Sequence, residues 1–340
     1  MISVSPIYQT DGDRLYREFF QPEFGSQRLG RPGHWRGSGA ALLRLQDPVQ
    51  LSAFENLLAG RTPSGAEALW PESSARRHEL GWRLTISASP SLTVLWALAP
   101  RLVRARLEDT HGSSVRYALW NFEGAVSGWD WRQEEGHDKF PGALFATFRC
   151  GAAWDQTPHL HTTAFVFNLA FHHDGTVGTF TTDQVFQQRF QLQATYEQMR
   201  DTMLWGDIGV YGEIPGVDLR IVGVPQELCQ RFCFDSSFSP QGRAEPGQQP
   251  RPLRSEQLFA VWQRQAQGWG WGPKQAEEFL RHARWERMLH DLGERWRFRL
   301  HQGEQLVKRA RNSLRKLTPV RRSQDPRSSQ DKDQGQTHSH

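Results

Sequence analysis

At 340 residues the chain can form one large domain or two small ones with an ample core, and its formal charge of +4 is mild. No apolar run approaches the roughly 20 residues a membrane helix needs and the N-terminus does not read as a signal peptide, so a cytoplasmic protein without a membrane segment is expected. Three cysteines in so long a chain exclude a disulfide framework.

In chain order, residues 2–8 read as a weak strand, followed by a polar-aromatic segment from Arg14 to Phe24. Gly33-His-Trp-Arg-Gly-Ser-Gly-Ala40 follows, where Gly37 and Gly39 permit unusual backbone angles around Trp35. Asp47-Pro48 reads as an N-cap and first helical residue, and Leu51, Phe54, Leu57 and Leu58 form a helical stripe that Gly60 ends. Residues 81–87 alternate as a strand, and Ser89-Pro90 opens a helix carrying Leu92, Leu95, Trp96 and Leu98. Residues 100–140 read as a helix and an exposed loop, in which Asp130 to Lys139 is a charged, solvated turn.

Residues 142–150 and 160–171 read as strands, the second rich in Phe, Val and Thr. A period of two puts His159, His161 and Thr163 on one face, continued by Phe165 and Phe167. Two imidazoles so placed can share a metal ion, and equally they read as satisfied rim residues. A hairpin through residues 151–158 would bring Cys150 beside His161.

Asp183 is expected to cap a long helix ending near Gly206, with two short strands in 208–222 and a helix opening at Val224-Pro225. Cys229 and Cys233, four apart on that helix, read as small buried hydrophobes. Residues 236–254, rich in Pro, Gly and Gln, read as a linker. Residues 255–317 are helical by pattern, with many Arg and Trp, and the polar residues 318–340 are expected to be disordered. Lys308, Arg309, Arg311, Arg315, Lys316, Arg321 and Arg322 give either a phosphate contact or a solvated face. The chain holds 14 tryptophans, which with its arginines suit a surface that stacks on bases, although most tryptophans serve packing.

Several of these stretches resemble the conjugative relaxases of the MobF (TrwC-like) type, HUH enzymes that nick one strand of a plasmid transfer origin. The resemblance rests on Pro158-His-Leu-His161 running into Phe165-Val-Phe-Asn168 and Asp174-Gly175, and on Trp35, Gly37, Gly39 and Ala40 followed by Leu57-Leu58 and Gly60. It continues in Arg76-Arg77, Gly81, Leu84-Thr85 and Ser87-Ala88. It covers residues 1–234 and implies an α+β fold, a mainly antiparallel sheet flanked by helices. A linker at 235–254, a basic helical module at 255–317 and a tail at 318–340 would follow. No Gly-x-x-x-x-Gly-Lys-Ser/Thr sequence occurs, so the helicase that usually follows such a domain has no counterpart here.

The resemblance also locates the departures. In the family adjacent tyrosines precede the Trp-x-Gly-x-Gly segment, and one attacks the scissile phosphate. Here those places hold Phe19, Phe20 and Phe24, and the nearest hydroxyl is Tyr16. The family's acidic residue falls at Arg83, which cannot act as a base. Its three metal-binding histidines fall at Cys150, His161 and Thr163, with His159 as a neighbour. Cys150, His159 and His161 suit zinc better than the Mg²⁺ or Mn²⁺ of the family, unless no metal is bound at all.

Three readings follow. In the first the chain binds single-stranded DNA or a DNA hairpin through Trp35, Arg36, Arg76, Arg77 and Arg83, and nicks it poorly or not at all. In the second it is an active strand transferase with Tyr16 as nucleophile and Cys150, His159 and His161 as metal ligands. In the third it is a non-enzymatic protein-interaction remnant. Other conjugation proteins are possible partners of any of the three.

Overall fold

The computed structural model describes residues 2–20, 32–69, 79–126, 142–153, 155–172, 175–211, 220–234 and 253–317. Phe24, Arg76, Arg77, the 130–139 turn, most of the linker and the tail lie outside the described residues. The first half contains β1 (Ile2–Ile7), α1 (Gly12–Phe20), β2 (His34–Arg36), α2 (Ser38–Leu42), α3 (Leu51–Leu58), β3 (Gly81–Ser87), α4 (Pro90–Leu98) and α5 (Arg101–Val126). The second contains β4 (Phe145–Ala152), β5 (Pro158–Phe167), β6 (Ala170–Phe171), β7 (Val177–Gly178), α6 (Thr182–Gln187), α7 (Arg189–Met203), α8 (Gln226–Phe234), α9 (Ser255–Gln267) and α10 (Pro273–Leu317).

The architecture is α+β, as the resemblance implies. An antiparallel sheet of order β1-β3-β5-β4-β2 carries helices on both faces, and β6 and β7 form a separate ribbon. Alternation along β5 assigns the layers. Phe165 and Phe167 join Phe148, Phe54 and Phe19 in a core beneath α1 and α3. Ala164 and Val166 join Trp82, Leu84, Phe122 and Tyr196 in a core beneath α5 and α7. No described helix is long and apolar enough to cross a membrane.

Several local expectations shift for identifiable reasons. Asp47 is not the cap of α3, whose N-cap is Gln50. Its carboxylate instead accepts the Trp35 N–H at 2.7 Å and bonds His34 Nδ1 at 2.8 Å, tying the loop to β2. Strand β5 stops at Phe167 because Asn168 leaves the ladder. The Asn168 side chain donates to the Glu79 carbonyl at 3.1 Å and accepts from the Phe180 N–H at 2.9 Å. The helix expected from Asp183 is capped by Thr181, which accepts from the Gln184 N–H in a capping box. It is interrupted at Gln188, and after α7 it runs through a π turn (Leu204–Ile208) to Gly209 rather than stopping at Gly206. Ser89 does cap α4, with Pro90 in its first turn.

The C-terminal helices differ most from expectation. The first compact unit runs to Arg287, and a second begins at Met288. The first does not close at 234 because Leu258, Phe259, Trp262, Ala266, Ala276, Leu280 and Ala283 complete a third core with Trp96, Leu98 and Leu160. Trp262 is fully buried, with ring centroids 5.8 Å from Trp96 and 5.2 Å from Phe259, and its Nε1–H donates to the Gln156 carbonyl at 3.0 Å. Residues 255–317 are helical, as expected, in two helices. The Gly268-Trp-Gly-Trp-Gly272 segment separates α9 from α10, and Gly270 takes φ +74°, which ordinary side chains resist.

Trp262→Ala should therefore destabilise the protein by about 3–5 kcal/mol, as expected for a buried aromatic replaced by a cavity. A chain ending at 254 should lose cooperative unfolding altogether, because it leaves Trp96 and Leu98 without their cover. Urea denaturation followed by circular dichroism checks both outcomes.

Candidate functional site

The α1-facing side of β5 presents His159 and His161 two residues apart. Their rings stack, with centroids 4.3 Å apart and planes 28° from parallel. His161 Nδ1 lies 2.9 Å from the His159 carbonyl, which can only accept, so the proton is on Nδ1 and Nε2 carries the lone pair. His159 Nε2 lies 3.1 Å from Ser87 Oγ on β3. Burial, reinforced by His159, holds the His161 imidazolium down to about 3. Burial also lowers His159 from its ordinary value, so both rings are neutral near pH 7.

Cys150 pairs directly opposite His161, as a hairpin between the two strands requires. Its thiol, however, is 2% exposed within the aromatic core and lies 3.9 Å from the Phe148 carbonyl. Two nearly parallel imidazoles point their lone pairs along parallel planes, not at one centre. Thr163, the next residue on that face, is 2% exposed. Among the described residues no three His, Cys, Asp or Glu side chains converge as a metal would need. Cys150, His159 and His161 in this arrangement do not fit a shared divalent cation.

Helix α1 closes the same face with phenylalanines. Phe19 is 1% exposed, 5.0 Å from the Phe148 ring and 5.1 Å from the Phe165 ring. The Arg83 guanidinium lies over it at 5.5 Å. Phe20 packs on Phe54 and Phe148 at 5.3 and 5.6 Å. Tyr16, one turn earlier, is 40% exposed. Arg83 pairs with Phe165 across the β3–β5 ladder and adds to the low pKa of His161, so Arg83 and the histidines share one face.

Two other candidates stand elsewhere. Trp35 is 5% exposed with its ring 5.9 Å from Phe167, which is a core position. Arg36 points to the opposite face, where it lies 3.6 Å from Asp47. Burial opposes ionisation of Asp47, but hydrogen bonds from His34 and Trp35 and the charge of Arg36 hold its carboxyl below the ordinary value.

This arrangement can be set beside known proteins. The profile of the TrwC relaxase family matches residues 13–236. The chain belongs to the TrwC relaxase family. The multifunctional conjugation protein TraI of Escherichia coli K12 is 32% identical over 185 residues, which is 54% of this chain and 10% of TraI. A second Escherichia coli TraI is 31% identical over the same length. The match thus spans about a tenth of these curated relatives. Among solved structures, conjugative relaxase TrwC with oriT DNA in a metal-bound form aligns with a TM-score of 0.60 at 21% identity. A copper-bound TrwC complex gives 0.63 at 22%. Each alignment covers 79% of this chain and 99% of that one, so the shared fold extends into the C-terminal helices.

The Trp-x-Gly-x-Gly segment of this relaxase domain is a structural joint. Gly37 has φ +86°, and a Cβ on it would meet the Ala143 carbonyl at 2.3 Å. A Cβ on Gly39 would press on the Phe171 ring at 2.7 Å. The buried Glu123 carboxylate accepts the N–H groups of Ser38 and Ala143, each at 2.8 Å, and fastens this joint to α5.

One polar cluster has no signature in the sequence. His111 on α5, fully buried, lies 2.8 Å through Nδ1 from the Tyr196 hydroxyl and 3.0 Å through Nε2 from Thr162 Oγ1. It supports β5 from the face opposite the histidine pair. A single histidine inside a helical stretch carries no periodicity that would mark it.

Two outcomes follow. Burial, aided by Arg149, holds His111 down to about 3, whereas a free imidazole titrates near 6.5. The unfolded chain therefore binds a proton that the native one refuses, and stability should fall as pH drops from about 6.5 towards 3. The slope is up to about 1.4 kcal/mol per pH unit for each such histidine. His111→Gln should remove about one proton from the slope measured by urea melts between pH 7 and 5. Separately, adding Mg²⁺ or Mn²⁺ should leave Tm unchanged, because a metal at a hundredfold excess over Kd would stabilise the native state by about 2.7 kcal/mol.

Proposed function

We propose that this relaxase-family protein binds single-stranded DNA or a DNA hairpin of the transfer-origin type, in plasmid mobilisation, and is impaired in nicking it. The observation that carries the reading is Phe19, one of the places (with Phe20 and Phe24) where the family resemblance puts its tyrosines, sealed beneath Arg83 and between Phe148 and Phe165. A phenyl ring has no oxygen with which to attack phosphorus. Arg83 cannot take up a proton, and the histidine pair does not fit a metal that would polarise the phosphate. Binding makes fewer demands. TrwC has been solved with a 27-mer DNA comprising its recognition hairpin and cleavage site, and the present chain shares that fold. The half-buried Arg83 supplies a cation on the histidine face, where a backbone phosphate is to be held.

One observation favours a second reading. Tyr16 is 40% exposed on the helix whose Phe19 and Phe20 are packed inward, so it is the hydroxyl of α1 open to solvent. An active enzyme of this family would use it as nucleophile.

Affinity for a single-stranded transfer-origin oligonucleotide should exceed that for duplex and fall steeply with salt, by about 0.7 in the log–log slope for each phosphate neutralised. Fluorescence anisotropy at several salt concentrations reads this, and a flat response would leave only a protein-interaction role. On a denaturing gel no covalent protein–DNA adduct should form with the same oligonucleotide. An adduct that disappears in Tyr16→Phe would establish the second reading and overturn the first.

A further inference from the structure

The face of the sheet opposite the histidine pair carries an open groove between β2, β4 and α5. Its volume is about 290 Å³, at the small end of ligand-sized clefts. Arg36, Thr147, Arg149 and Thr162 line it from the strands, and Gly112 and Arg116 from α5. A Cβ built on Gly112 meets nothing within 4 Å, so the space beside it is open. Two carboxylates, Glu108 and Asp109, also border the groove. Glu108 is engaged with Arg149 at 2.9 Å, and Arg36 leans on Asp47 at 3.6 Å. Arg116 differs: its Nη2 donates to Ser113 Oγ at 2.8 Å, and among the described residues it has no carboxylate partner.

One helical turn beyond Arg116 stands Trp120, 58% exposed, beside Tyr117, 42% exposed. The two ring centroids are 5.8 Å apart and their planes 36° from parallel. The two adjacent rings form a local apolar patch with room for a planar group to stack. Residues four apart on a helix lie about 6 Å apart along its axis, so Arg116 and Trp120 occupy neighbouring places on one surface.

We propose that this groove and its aromatic rim form a second contact for single-stranded DNA. A backbone phosphate lies against Arg116, and an adjacent base stacks on Trp120 and Tyr117. Guanidinium beside exposed rings is the combination that tracks a single strand without reading its sequence. A protein partner would need a carboxylate at the same place, and the fold shared with DNA-bound TrwC favours the phosphate. This contact rests on the single-strand reading given above and lies on the other side of the sheet from Arg83, so a strand engaged at the histidine face would have to pass the β2 edge to reach it.

The test uses the full chain and two labelled single-stranded oligonucleotides, one short enough to occupy the histidine face alone and one long enough to extend around the sheet. Trp120→Ala should weaken binding of the long one about fivefold to a hundredfold, the loss expected for one stacked base. Arg116→Gln should lower its salt slope by about 0.7. The short oligonucleotide should bind all variants equally, and neither position is buried, so folding is not at stake. Equal binding of the long oligonucleotide to wild type and Trp120→Ala overturns the second contact alone and points to a protein as occupant of the rings. If wild type binds neither oligonucleotide, the single-strand reading itself fails.

Discussion

Strand β5 pairs on both sides, with β3 and with β4, and its pleat therefore allots every side chain to one of two faces. His159, His161, Phe165 and Phe167 fall beneath α1 and α3, whereas Thr162, Ala164 and Val166 fall beneath α5 and α7. A slip of one residue would turn the histidines towards α5 and α7 and take the phenylalanines out of the aromatic core beneath α1 and α3. The register is held from both sides. Below, the aromatic cluster of Phe19, Phe54, Phe148 and Phe165 interlocks edge to face. Above, His111 bonds Thr162, and Arg149 on the neighbouring strand pairs with Glu108 of α5. The candidate site and its support are two sides of the same residues.

Phe19 and Arg83 are best understood as one change. A guanidinium above an aromatic face is attracted by its quadrupole, and a carboxylate in the same place would be repelled. A phenol in the Phe19 position would also need a hydrogen-bond partner within an otherwise apolar cluster. Replacing the acid and the hydroxyl together removes both conflicts and leaves a continuous aromatic layer. The family resemblance implies two departures at these positions, and the packing makes each favourable in the presence of the other. By contrast, Gly37, Gly39 and Glu123 fix the backbone around Ala143 whatever chemistry the face performs.

The sequence made legible whatever rests on short-range pattern. Strand β3, the Ser89 cap, the pairing of Cys150 with His161 and the α+β class all follow from alternation, capping chemistry or the resemblance. It did not reveal side-chain direction. Cys150 and His161 are neighbours in register, yet the thiol belongs to the aromatic core and the imidazoles stack on one another. Trp35 looked available for stacking on bases but fills the core against Phe167. The helices after residue 255 read as an appendage because their apolar residues are sparse and interspersed with arginine. Only the three-dimensional contact of Trp262 with Trp96 shows that they close the first unit. The groove beside α5 was equally invisible, since Arg36, Arg116 and Arg149 are far apart in the chain.

Strand transfer and strand binding differ in how much geometric precision they require. Transfer needs a nucleophile and a proton acceptor within hydrogen-bond reach of one phosphorus atom, so a single substitution at either removes it. Binding needs positive potential and ring faces along a path, and these tolerate substitution because each contact is sequence-independent and replaceable. Arg83 illustrates the exchange. On the proposed reading it stands where the family has an acid, takes no part in proton transfer, and adds positive charge to the histidine face. The neutral histidine pair does not oppose that charge, because burial keeps both rings unprotonated near pH 7. On the proposed reading, a surface arranged in this way holds a strand more readily than it cuts one.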